Sequence, residues 1–164
     1  MKSLKILFMT ALIMGFAVSS HAADKIGYVD LSRLFDNYNK TKDYDAKLEA
    51  KHNEFETKRN EKIEKVKEDE GKLALLKEDQ KAALQKEIED LKADLMEYDR
   101  QEKTNLTKER NEKIREILLE IEKIVSDYAE KEGYSFILND RVLIYGTKTM
   151  DLTDIILKIL NGQK

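Results

Sequence analysis

Not one proline occurs in the 164 residues, and that absence limits this chain more than any motif in it. Proline fixes its own backbone angle and removes a hydrogen-bond donor, so it breaks helix interiors. Only five glycines follow residue 22 (Gly27, Gly71, Gly133, Gly146 and Gly162), so helices can run for many turns. Charged residues make up 38% of the sequence, with both signs interspersed. Such helices are solvated along most of their faces and cannot all pack into one globule. The expected architecture is mainly α with a small β body (α+β), from which a long antiparallel helical hairpin projects.

Residues 1–22 carry the pattern of a signal peptide. Lys2 and Lys5 supply a positive start, and residues 6–18 are a mostly apolar run. Ser20-His21-Ala22 then places small residues for cleavage after Ala22. The apolar run is short for a bilayer, which needs about 20 residues. Without Lys2 and Lys5, 28 basic residues of the 30 face 33 acidic ones, a net charge of −5. That balance excludes the strongly basic surface of a nucleic-acid-binding protein. The chain has no cysteine, which excludes disulfides, thiol chemistry and a lipid-anchored cysteine.

The two ends of the remaining chain differ from its middle. Residues 25–29 (KIGYV) read as a short strand, with Ile26 and Tyr28 on one face and Val29 on the other. Asp30 is placed to cap a helix whose buried stripe is Leu31, Leu34, Phe35 and Tyr38. At the other end, residues 134–138 and 142–145 read as two strands of an antiparallel hairpin around Asn139-Asp140-Arg141. Asp151 is expected to cap a last helix through Ile155, Ile156, Ile159 and Leu160, with Asp154 completing a capping box. These ends, 23–43 and 114–164, form a discontinuous body. Three short strands and two short helices leave edges uncovered, so pairing between subunits, and a homo-oligomer, is expected.

Residues 44–113 form the arm, with its tip near 73–80, where Leu73-Ala74-Leu75-Leu76 interrupts the charged pattern. An arm of about 35 residues projects on the order of 50 Å. Its second helix runs from about Glu78 to about Glu132, ended by Gly133. Leu84, Ile88, Leu91, Leu95 and Tyr98 trace a coiled-coil seam at steps of four and three. A longer period also runs through the arm. Tyr44, Phe55 and Val66 are eleven apart, and so are Leu84, Leu95, Leu106, Ile117 and Tyr128. Eleven residues in three turns predicts arms that are nearly straight or slightly right-handed.

Catalysis finds no support in these residues. His52 is the one histidine after residue 22, and it sits among lysines and glutamates on an exposed helix. A general base needs an orienting partner in a closed pocket. No phosphate-binding loop, zinc spacing or nucleophile elbow occurs, so no catalytic residue, metal or cofactor is expected.

The terminal segments KIGYVDLSRLF (25–35) and GYSFILNDRVLIYGTKTMDLTDIILKIL (133–160), separated by a charged hairpin, closely resemble the Skp/OmpH family of periplasmic chaperones. The resemblance implies a homotrimer whose strands form a small β-barrel-like body, with helical arms around a central cavity. It also implies an ATP-independent holdase in the periplasm that keeps unfolded outer-membrane proteins in that cavity. Carried onto this sequence, Ile26, Tyr28, Val29, Phe136, Ile137, Leu138, Val142, Leu143 and Tyr145 belong to the oligomerising strands. Leu152, Ile155 and Ile156 belong to the closing helix. The best-known family members are markedly basic, whereas this chain is acidic, which argues against lipopolysaccharide binding and strong electrostatic capture.

Apolar residues on the arm have two readings: they close the seam, or they face the cavity and touch clients. The candidates for client contact are Phe55, Ile63, Val66, Leu73, Leu76, Leu84 and Met96. The rival function is a secreted coiled-coil adaptor that binds one folded envelope partner.

Overall fold

The computed structural model describes residues 24–163; the signal peptide expected at 1–22 lies outside them. Strand β1 (Ile26–Val29) leads into helix α1 (Leu31–Asn37), then α2 (Asn39–Leu73) and α3 (Glu78–Glu132). Strand β2 (Phe136–Asn139) and two single 3-10 turns (Asp140–Val142 and Lys148–Met150) precede the last helix, α4 (Thr153–Leu160). The protein is mostly helical with one small sheet, as the sequence predicts. Among the described residues, no helix is long and apolar enough to cross a membrane.

Helices α2 and α3 are antiparallel neighbours joined by the four residues Ala74–Lys77, inside the span expected for the tip. Gly133 ends α3 in the left-handed region, at φ 71°. A side chain there would be strained, which is why glycine suits the position.

The sheet departs from expectation. β1 and β2 are parallel, in the register Ile26↔Phe136, Gly27↔Ile137, Tyr28↔Leu138 and Val29↔Asn139. Tyr28 also bridges Asp151, and the Leu152 N–H donates to the Tyr28 carbonyl at 2.8 Å. The predicted antiparallel hairpin does not form. The Asn139 side-chain oxygen instead accepts from the Arg141 N–H at 3.3 Å, and Leu143 N–H donates to the Asp140 carbonyl at 2.9 Å. Local Asx-turn chemistry therefore turns the chain away from β2. Val142, Leu143 and Tyr145 therefore lie outside any strand. Gly146 crosses the Tyr28 ring so closely that a Cβ there would come within 2.7 Å of it.

The core sits where the chain ends meet α3. Val29, Leu34, Tyr38, Tyr44, Ile117, Ile121, Leu152, Ile156 and Leu160 form one buried cluster. A polar clasp holds it shut. Asp30 caps α1 through the Arg33 N–H at 2.8 Å, while its own N–H donates to the buried Thr153 hydroxyl at 2.9 Å. That hydroxyl donates in turn to Asp151 Oδ1 at 2.6 Å. The Asp151 carboxylate accepts from the Thr153 N–H at 2.9 Å at the start of the last helix; α4 itself begins at Thr153, with Leu152 in the N-cap position. Asp154 makes no capping box; Arg33 draws its carboxylate into an ion pair. Asn161 stitches the break between α1 and α2, accepting from the Asn39 N–H at 2.8 Å and donating to the Asn37 carbonyl at 3.2 Å.

Candidate binding arm and apolar body edge

The inner faces of the arm helices follow the eleven-residue period. Tyr44, Phe55 and Val66 are all buried on α2. On α3, Ile88 and Ile117 are buried, while Leu84, Leu95, Leu106 and Tyr128 are half-buried. The Phe55 and Tyr98 rings lie 5.8 Å apart. Each α2 residue of this series marks one apolar layer, and three helical turns, about 16 Å, separate neighbouring layers.

Ion pairs span the spaces between layers, and several share that period. Lys40 Nζ lies 2.6 Å from Glu120 and 3.1 Å from Glu116. Eleven residues on, Lys51 takes Glu109 at 2.6 Å. Eleven further, Lys62 pairs with Asp94 and stands 5.3 Å over the Tyr98 ring. Glu120, Glu109 and Tyr98 are themselves eleven apart in reverse order, so the antiparallel register repeats with the period. Arg59 with Asp99 at 3.0 Å and Glu70 with Lys92 at 2.7 Å complete the cross-arm ties.

The electrostatics follow from these contacts. Hydrogen bonds to Glu120 and Glu116 push Lys40 up to about 12. Lys40 in turn, with the Tyr38 hydroxyl, holds Glu120 below the usual carboxylate range. Arg100 and Gln101 draw Glu97 down to about 2. Asp69 is an acid in the seam itself, only 2% exposed. Lys72 and Lys65 close over it at 3.0 Å each and lower its pKa. Sequence reasoning missed Asp69 because charge density hides one buried acid among many solvated ones. The available signal is its place three residues beyond Val66, on the seam face.

The arm candidates for client contact divide. Phe55 is 2% exposed and Val66 is also buried, so neither offers a surface while the arm is closed. Their place in the eleven-residue series is the reason. Ile63, Leu73, Leu76 and Leu84 are half-buried, and Met96 is 74% exposed. Leu75 at the tip is 87% exposed. His52 lies along a shallow cavity of about 450 Å³ with Asp45, Leu48, Glu49, Leu106 and Arg110. Among the described residues, no group of three or more His, Cys, Asp or Glu is placed to hold a metal ion.

The body candidates divide as well. Val29 is buried in the body's core, and Ile137 packs on that core from the side. Phe136, Leu138 and Ile26 are exposed on the sheet, as are Val142 and Tyr145 in the segment after it and Ile155 and Ile159 on α4. Tyr28 and Leu143 are half-buried. Ile144, fully exposed at 106%, joins this group although it was not singled out. So many large apolar side chains exposed on a body this small are the usual mark of an interaction site.

The fold and its surfaces define a class: a long-armed helical hairpin carried on a β-containing body with an open apolar edge. A family model described as outer membrane protein (OmpH-like) matches residues 25–160. The chain belongs to this OmpH-like family. It is 28% identical to a Skp-like protein of Chlamydia pneumoniae over 165 aligned positions, covering 96% of this chain and 95% of that one. Its fold is similar to the crystal structure of a candidate outer membrane chaperone (OmpH-like) from Caulobacter crescentus. That match has a TM-score of 0.72 and 14% identity, covering 86% of each chain.

Proposed function

We propose that this protein is an ATP-independent holdase chaperone of the periplasm, which binds unfolded outer-membrane proteins in a cavity between helical arms. The observation that carries the reading is the pairing of an open apolar body edge with a projecting hairpin in a chain of the OmpH-like family. A single body leaves Phe136, Leu138, Val142, Ile144 and Tyr145 exposed. A homo-oligomer, a trimer by family resemblance, covers this edge and sets several arms around one space.

Weak apolar contacts suit such a role, since a holdase stabilises the unfolded chain by mass action and must still release it. The test uses purified residues 23–164 and several urea-denatured outer-membrane proteins diluted without nucleotide. Suppressed aggregation at a fixed oligomer ratio supports the reading. Binding to one folded partner with no suppression overturns it. In the same preparation, sedimentation at micromolar concentration should show an oligomer, and Ile144→Asp with Tyr145→Asp should shift it to monomer.

A further inference from the structure

The arm buries little for its length. Between Tyr44 and Lys113 the buried apolar side chains are Tyr44, Phe55, Val66 and Ile88, and one buried position, Asp69, is an acid. Between them the helices are tied by ion pairs whose side chains are partly exposed, such as Lys51–Glu109 and Lys62–Asp94. Exposed pairs contribute little and are screened by salt. Towards the tip the buried apolar layers end at Val66 and Ile88. Beyond them Glu70–Lys92 is the last ion pair across the arm among the described residues, and Leu73, Leu76 and Leu84 are only half-buried. Gly71 has no neighbour within 4 Å of where a Cβ would stand, and Leu75 is exposed. At the root, by contrast, Tyr44 and Ile117 belong to the body core.

We infer that the arm is a clasp: its helices part from the tip inward, and the Val66, Phe55 and Ile88 side chains so bared are a latent binding surface. The occupant is an unfolded polypeptide with apolar side chains. The layers suit it because their wide spacing imposes no sequence register on what binds. The lysines and acids that tie the closed arm flank each layer when it opens, and they keep the bared helices soluble. This inference rests on the holdase reading and gives it a surface, since the closed arm hides Phe55 and Val66.

The chain has no cysteine, so an introduced pair is unique within it. Lys62→Cys with Asp94→Cys, joined by a maleimide linker that contains a cleavable disulfide, straps the helices together between the Phe55 and Val66 layers. Strapping should weaken suppression of outer-membrane protein aggregation roughly tenfold, because the binding-competent fraction falls. Cleaving the linker should restore it. Amide exchange of the unstrapped protein should be faster at 60–73 and 84–95 than at 117–121, and should quicken with salt.

If the strapped protein captures clients as well as the cleaved one, the clasp is wrong and the holdase reading stands. Equal protection of arm and body also overturns the clasp. If even the unmodified chain suppresses nothing, the holdase reading falls and takes the clasp with it.

Discussion

The body and the arm hold themselves together in different ways. The body joins both chain ends through backbone pairing, a buried hydroxyl clasp and a continuous apolar cluster. The arm spreads a few apolar side chains over a long seam and fills the spaces with ion pairs. Apolar burial contributes about 25 cal/mol per Å² removed from water, whereas an exposed ion pair contributes little. Stability is therefore concentrated in the body, and reach and compliance in the arm.

The largest blow to the body should come from Ile121→Ala, which empties a fully buried site. It should cost about 2–5 kcal/mol, read as a lower urea midpoint for global unfolding. Thr153→Ala should follow at about 1–3 kcal/mol, since it strands the Asp30 N–H and removes a donor to Asp151. Thr153→Ser should recover most of that loss. Phe55→Ala removes an equally buried ring from the arm, yet it should act locally. Amide exchange should rise at 48–62 and 98–110 while the midpoint of the body moves less than with Ile121→Ala. An equal fall in the body would break the contrast between the regions.

The smaller effects are electrostatic. Glu97 lies lower in the folded state, so its contribution is present above its ordinary value of 4.5 and is lost as pH falls towards about 2. Asp69, Asp99 and Glu120 are lowered too and act in the same direction. Lys40 has the opposite sign: its contribution holds below 10.5 and is lost as pH rises towards about 12. Helical signal from the arm should therefore weaken in strong acid, and the Lys40–Glu120 tie at its root should weaken with it. Smallest of all, Lys51→Glu should leave the thermal midpoint nearly unchanged, and its effect should shrink further in high salt.

Much of the arm was legible from residue order, because helix-making and seam-making are local. The missing prolines, the cap at Asp30, the stop at Gly133 and the eleven-residue spacing all act within a few turns. The sheet was harder. Residues 142–145 have strand-forming side chains, but no local pattern shows that β1 pairs in parallel with β2, or that Asp151 takes its other side. Burial on the arm was the other blind spot. The same spacing that marks Phe55 and Val66 as apolar also sends them inward, and Asp69 joins them although its charge suggests water.

The placement of β1 has a consequence for the order of events as the chain emerges, N-terminus first. The strand pairs with the β2 residues, its Tyr28 carbonyl accepts from the Leu152 N–H, and the Lys25 carbonyl just before it accepts from the Ser135 N–H, all more than a hundred positions later. The hairpin can close from its short turn outward, with little loop entropy to overcome. The opening strand must wait. Far-ultraviolet helical signal should return during refolding before pulse-labelled exchange protects β1. The hairpin is then the first part to take shape, and its closure carries the two distant ends of the chain together.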